Sequence, residues 1–263
     1  MEILVCAKRV PDTSENELSL NSAGNDLQRD DLVYSINEWD NYAVEEAIRI
    51  AEKTSGTVTV VTIGGEDDEE ILRREMAMGA KRGVLISDEK FTSVDGKGVA
   101  TILKAFVAQA KYDLILTGVQ ADDGAAQVGG MLAALLDYPF ASLVDGIEVL
   151  PGNKLKISRE VEGGNKEISE IDLPCVLSIQ TGINEPRYVG MKGIRAVQSI
   201  PIPTYGTSDL GLTSAQVGVG AAKVTRVDYF VPTLGKGARM LSGTREENAQ
   251  EVVELVAAKG GLK

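Results

Sequence analysis

Apolar positions along the chain alternate between two periods. Glu2 to Ala7 carries a short unbroken apolar run, the pattern of a strand covered on both faces. Between Asn41 and Lys53, the residues Ala43, Val44, Ala47, Ile48 and Ala51 recur every three or four positions and form one face of a helix. Thr57 to Ile63 is β-branched throughout and predicts a second strand, ended by Gly64-Gly65. The acidic run Glu66 to Glu70 then opens a helix, where negative charge complements the dipole, and Gly79 stops it. Gly83 to Ser87 and Asp113 to Thr117 predict further strands, followed in turn by helices over Val99 to Ala110 and Ala126 to Leu136. Such alternation means parallel pairing through right-handed crossovers. The expected fold class is α/β, a doubly wound, mostly parallel, Rossmann-like sheet.

After Tyr138-Pro139 the pattern changes. Phe140 to Leu150, Lys154 to Val161 and Lys166 to Gln180 are strand-like, separated by Pro151-Gly152-Asn153 and Gly163-Gly164, which predicts an added β-hairpin region. From Thr181 the chain is irregular until Glu246 to Ala258, where Ala249, Val252, Val253, Val256 and Ala257 share one face of a short helix. A long extended segment ending in an amphipathic helix is hard to satisfy on one body. The expected organisation is therefore an α/β domain over residues 1–200 and a C-terminal arm with its helix over 201–263, lying on a partner subunit.

Composition sharpens this picture. The chain has 263 residues, 43% hydrophobic and 25% charged, as in an ordinary globular protein, and only 5% aromatic, so Val, Ile, Leu and Ala must build the core. Its net charge of −12 argues against a nucleic-acid partner. Histidine is absent, which removes the usual near-neutral general base and the commonest metal ligand. Cys6 and Cys175 sit in separate apolar contexts and are expected to be two buried free thiols in a reducing compartment. Without a signal-like or membrane-spanning run, the expectation is a soluble cytoplasmic protein that does not insert into a membrane.

Three segments could carry chemistry. The strand ending at Thr117 runs into Gly118-Val119-Gln120-Ala121-Asp122-Asp123-Gly124-Ala125-Ala126-Gln127-Val128-Gly129-Gly130, a glycine-bearing turn that opens a helix. Such a turn offers N–H groups and a positive helix end to an anion, beyond the carboxyl ends of the strands, where open α/β sheets bind ligands. A plain βα loop fits these features equally well. It is neither a Walker loop nor a dinucleotide fingerprint. In Asn37-Glu38-Trp39-Asp40, Asn37 or Asp40 could cap the helix, Trp39 reads as a packing residue, and Glu45 and Glu46 read as solvated. Asn184 to Arg195 leaves a strand, mixes charge with apolar groups, and carries a flexible methionine, Met191, suited either to docking or to burial.

Together these segments resemble the β subunit of electron transfer flavoproteins. The resemblance is carried by Val5-Cys6-Ala7-Lys8-Arg9-Val10-Pro11-Asp12, Asn37 to Ala47, Ala77 to Gly83, Gly118-Val119-Gln120-Ala121, Arg159 to Gly164, Leu173-Pro174-Cys175-Val176 and Asn184-Glu185-Pro186-Arg187-Tyr188. It implies a heterodimer with an α subunit that holds most of the FAD. It further implies passage of electrons from dehydrogenases, such as acyl-CoA dehydrogenases, to a quinone reductase or another acceptor. This chain would bind AMP structurally, or a second FAD in an electron-bifurcating member. By the same resemblance, Cys6, Asn37, Glu38, Trp39, Asp40, Ile63, Gly118 and the loop Ala121, Asp122, Asp123, Gly124, Ala125, Ala126, Gln127, Val128, Gly129, Gly130 and Met131 would contact that nucleotide.

The resemblance also places Arg187, Tyr188, Met191, Ile194 and Arg195 in a partner-recognition loop, with Met191 where many members carry an anchoring leucine. Glu160 would pair with an α-subunit arginine and bias a mobile FAD domain. Asp122 to Ala126 lacks the family's usual hydroxyl or amide groups, and its small side chains leave room for FAD. No bond-making catalysis by this chain is expected; the chemistry would be the flavin's. The alternative from another class is a stand-alone adenine-nucleotide-binding enzyme or sensor.

Overall fold

The computed structural model describes the whole chain except Thr92, Ser93, Asp123, Ala125, Leu234, Lys236, Leu262 and Lys263. It comprises two compact units, residues 1–18 with 28–227, and residues 19–27 with 228–263.

In the larger unit, apolar runs become the interior strands of one sheet. These are β1 (Glu2–Cys6), β4 (Thr57–Ile63), β5 (Arg82–Ile86), β6 (Leu114–Gly118) and β10 (Cys175–Ile179). Between them run α1 (Glu38–Thr54), α2 (Glu69–Met78), α3 (Gly96–Val107) and α4 (Val128–Leu136). A small antiparallel pair, β2 (Arg9–Pro11) with β3 (Tyr34–Ile36), sits apart. The meander β7 (Phe140–Leu150), β8 (Lys154–Val161) and β9 (Asn165–Asp172) extends the sheet on one side, and β11 (Thr204–Tyr205) borders the other. Among the described residues the order is β11-β5-β4-β1-β6-β10-β7-β8-β9. All pairings from β11 to β7 are parallel, and β7-β8-β9 are antiparallel. The expected doubly wound α/β class is the one observed.

Alternation within each strand builds two cores. Ile3, Val5, Val58, Val60, Leu114, Leu116 and Leu177 point to the face packed with Val44, Ala47, Ile48 and Leu72 of α1 and α2. Leu4, Val61, Ile115 and Val176 point to the opposite face, with Ile102, Phe106 and Leu132 of α3 and α4. Strand order reverses between β1 and β6, so the crossovers from these neighbours leave on opposite sides and a crevice opens beyond Cys6 and Gly118.

Two segments differ from the sequence expectation. The run from Lys166 to Gln180 is not one strand. Pro174, which lacks an N–H, separates edge strand β9 from β10, and β10 returns to the parallel sheet beside β6. The stretch after Thr181, read as irregular, contains α5 (Met191–Val197), β11 and α6 (Ser214–Val217) within the larger unit. Their apolar positions are too few to show a period; Leu210 and Val217 alone reach the core there as buried residues. In the smaller unit, α7 (Arg245–Ala258) is opened by a Thr244–Glu247 capping box and has no buried residue. Cys175 is buried as expected, whereas Cys6, at the end of β1, is only half-buried; both are free thiols. No helix of the described residues is long and apolar enough to cross a membrane.

Gly118 is where β6 meets the first turn of α1. A Cβ there would strike the Asp40 carboxylate and lie 2.7 Å from Trp39 Cβ. Gly118→Ala is expected to destabilise the protein by roughly 1–3 kcal/mol, as overpacking does. Chemical denaturation of the assembled protein measures this, and an unchanged midpoint would show that the approach is not tight.

Candidate functional site

The crevice is organised by one carboxylate. Asp40, in the first turn of α1, accepts the Lys8 N–H on Oδ2 at 2.9 Å and the Gly118 N–H on Oδ1 at 2.9 Å. It thus ties together the chain ends leaving β1 and β6. Burial pushes its carboxyl up to about 7, against the opposing pull of hydrogen bonds from Asn37, Gly118 and Lys8 and of the Lys8 charge. Burial, and then the Asp40 charge, push the Cys6 thiol well above its ordinary range, so it is no thiolate nucleophile at neutral pH.

Asn37 precedes α1 and is buried. Its N–H donates to Lys8 O at 2.8 Å and its Nδ2 to Gln120 O at 2.8 Å, fixing the start of the β6–α4 loop. Among the described residues, Asn37 Oδ1 has no hydrogen-bond partner although it is buried. Asn37 does not cap α1 through its side chain. Across the crevice, α4 also begins without a side-chain cap. Its Gly129 packs against the ends of β6 and β10, where Thr117 Oγ1 and Ser178 Oγ lie 2.9 Å apart. A Cβ at this glycine would collide with both hydroxyls. The switch point therefore has a buried acceptor without a partner at the start of α1 and helix N–H groups without a side-chain cap at the start of α4, a donor–acceptor set whose chemistry fits a nucleotide's hydroxyls and phosphate.

The other expected nucleotide contacts fall around it. Glu38 is exposed, Trp39 and Ile63 are half-buried, and Ile63 ends the neighbouring strand β4. In the loop, Ala121 is half-buried, while Asp122, Gly124 and Ala126 are exposed. Gln127, Val128, Gly130 and Met131 are half-buried and Gly129 is buried. Asp123 and Ala125 lie outside the described residues.

The second expected surface begins after β10. Arg187 does not point outward. Its Nε and Nη2 donate to the two oxygens of Glu45 at 2.8 and 3.1 Å, its own N–H reaches Glu45 Oε2 at 3.1 Å, and Nη1 donates to Glu52 Oε1 at 2.9 Å. Beside it, Asn184 Nδ2 donates to Tyr42 O at 3.0 Å and to Glu46 Oε2 at 3.1 Å. Glu45 and Glu46, read from sequence as solvated, are buried on α1 because they hold this loop. Burial alone would raise the Glu45 carboxyl, but the hydrogen bonds from Arg187 and Arg49 outweigh it and hold it below the ordinary carboxylate range.

At the far end of the loop, Arg73 of α2 donates from Nη1 to the carbonyls of Val197, Gln198 and Ile200 at 3.0–3.2 Å, satisfying the end of α5. Between these anchors, Tyr188 is 92% exposed and Met191 65% exposed. Ile194 is half-buried and Arg195 exposed. Glu160, on β8, is exposed at a cleft of about 320 Å³ that it shares with Asp145, Lys166, Gln180 and Thr181. Sequence reasoning missed Glu45, Asn184 and Arg73 as positioning groups. The i,i+4 spacings Glu45–Arg49 on α1 and Glu69–Arg73 on α2 hinted at pairing, and both pairs are local.

Fold and crevice define a doubly wound α/β protein with a polar site at its switch point. The electron transfer flavoprotein domain family matches residues 25–210. The electron transfer flavoprotein subunit beta of Methylophilus methylotrophus is 36% identical over 97% of this chain and 98% of its own length. The subunit of the same name from Bacillus subtilis is 33% identical over 98% of each. The caffeyl-CoA reductase-Etf complex subunit CarD of Acetobacterium woodii is 35% identical over 93% of each. The chain belongs to the electron transfer flavoprotein family, among its β subunits, and its role is in electron transfer.

The Glu45–Arg187 clamp makes the loop acid-sensitive. Glu45 is depressed, so its contribution is present above the unfolded carboxylate value and is lost as pH falls through the lower folded value. Glu45→Gln at neutral pH is expected to reproduce that loss, weakening the loop by roughly 1–3 kcal/mol. Limited proteolysis should then cut between 185 and 200 faster in the variant, and in the parent only at acid pH. Equal cleavage of both at neutral pH would show that the clamp does not hold the loop.

Proposed function

We propose that this chain is the nucleotide-holding, partner-docking half of a heterodimeric electron carrier. The single observation that carries the reading is the β1–β6 switch point, where buried Asn37 fixes the start of the β6–α4 loop through its Nδ2 and keeps an unpartnered Oδ1. AMP would lie there in a structural role, with its phosphate toward the N–H groups opening α4 and its polar edge toward Asn37. Cys6, Trp39, Asp40, Ile63, Gly118 and the loop from Ala121 to Met131 form the expected wall, and Glu38 stands at its rim.

The redox group is FAD, held mainly by an α subunit; when bound, it accepts and releases the electrons. This chain's own residues do the positioning. Asp40 keeps the crevice closed at its base, α1 holds the loop through Glu45 and Glu46, and the loop presents Tyr188, Met191, Ile194 and Arg195 to a dehydrogenase, an acyl-CoA dehydrogenase being the expected kind. Arg187 serves as the anchor of that loop rather than as its contact. Glu160 faces the α subunit's mobile flavin-bearing part. The acceptor is a quinone-linked reductase or an equivalent. Of the C-terminal stretch 201–263, residues 201–227 belong to the larger unit, and residues 228–263 complete the assembly as an arm against the α subunit, with the uncovered α7 as its contact. The working location is the cytoplasm.

The exposed, small-residue loop at Gly124 and Ala126 favours a second reading, in which a second FAD replaces AMP and the complex bifurcates electrons. Denaturing the purified complex and counting the released nucleotides separates the two. One FAD with one AMP is expected; two FAD would establish the second reading, and a single FAD without AMP would remove the nucleotide from this crevice. Met191→Ala should slow reduction by the dehydrogenase roughly tenfold, as loss of about 1.4 kcal/mol of apolar contact would, with FAD content intact. Parallel loss of FAD and rate would count against a docking role.

A further inference from the structure

The crevice and Glu160 are joined by a side chain that neither the crevice nor the loop accounts for. Gln180 is the first residue beyond β10, its N–H bound to Val144 O at 2.9 Å. Its Oε1 accepts two donors, Trp39 Nε1–H at 3.1 Å and the Thr181 N–H at 3.1 Å. Both are obligate donors, so the amide has one possible orientation and its Nε2 must face the other way. There it donates to Glu160 Oε2 at 3.2 Å. Trp39 stands in the first turn of α1 next to Asp40, with its Cβ against the end of β6. An unbroken chain of contacts therefore runs from the switch point, through indole and amide, to an acid at the cleft lined by Asp145, Glu160 and Lys166.

We propose that Gln180 is a positioning residue that sets the Glu160 carboxylate and couples it to the wall of the switch-point crevice through Trp39. Glu160 is exposed on a strand, where its side chain would otherwise sample several rotamers. Its cross-strand partner in register, Lys166, is instead engaged with Asp145 at 2.8 Å. Gln180 is thus the donor that orients it. Rearrangement of the crevice wall moves the indole, the indole moves the amide, and the amide turns the acid that faces the mobile flavin-bearing part. The use of that acid in electron transfer rests on the function proposed above; the coupling itself does not.

The test exploits Trp39 as the chain's single tryptophan. In an assembled complex in which only this chain carries the heavy nitrogen isotope, Trp39 supplies a single indole N–H resonance. Glu160→Gln is expected to shift that resonance, and to leave it in place when combined with Gln180→Leu. Gln180→Met keeps the length of the side chain and removes both ends of the amide bridge, so it should block transmission as Gln180→Leu does. A resonance indifferent to Glu160→Gln in the parent, or shifted equally in both Gln180 variants, would overturn the coupling. Electron-transfer rates measured on the same proteins test the other layer. Gln180→Met should alter them in the same direction as Glu160→Gln, with no further change in the double variant. A transmitted resonance shift with parental rates in Glu160→Gln would leave the coupling standing and remove Glu160 from electron transfer.

Discussion

The structure depends on how one carboxylate satisfies two backbone N–H groups at the point where strand order reverses. Beyond Cys6 and Thr117 the neighbours β1 and β6 turn to opposite faces of the sheet, and the N–H groups of Lys8 and Gly118 would be left without ladder partners. Asp40 takes both. Hydrogen bonds to an ionised acceptor are stronger than neutral ones, and the first turn of a helix favours negative charge. Burial works in the opposite direction and pushes the carboxyl up to about 7. The arrangement survives because the acid comes to the strand ends on a rigid helix and because Gly118 lets that helix approach without a Cβ between them.

The same helix serves three purposes at successive turns. Its first turn closes the crevice through Asp40 and sends Trp39 toward Gln180. Its middle holds the loop after β10 through Glu45 and Glu46. Its apolar stripe, Val44, Ala47, Ile48 and Ala51, packs on the sheet. The crevice wall and the loop after β10 are thus built on one rigid element, and neither can shift far without the other.

How much of this was legible in the sequence follows from the range of each interaction. Strands such as Thr57 to Ile63 and the stripe on α1 announce themselves locally, because burial on a regular element leaves a period. The doubly wound class followed from their alternation. The place of β10 beside β6 did not, since a strand that returns across a sheet after a hairpin looks locally like a continuation of that hairpin. Glu45 and Glu46 looked like a solvated acidic face because their partners, Arg187 and Asn184, lie more than a hundred positions away. Trp39 read as packing, and its indole N–H found Gln180 across a similar distance. The residues of the crevice and loop came from resemblance rather than from periodicity, and the resemblance named Arg187 without showing that it faces inward.

One feature of the loop bears on how quickly such a protein can work. Arg73 grips three carbonyls, those of Val197, Gln198 and Ile200, at one end and Glu45 grips a guanidinium at the other, so the segment bearing Tyr188 and Met191 is shaped before any encounter. Immobilisation that would otherwise be charged against association has occurred during folding. In the proposed docking role, a small apolar knob so prepared confers selectivity while the encounter remains short-lived, which suits a shuttle that must let go as readily as it lands.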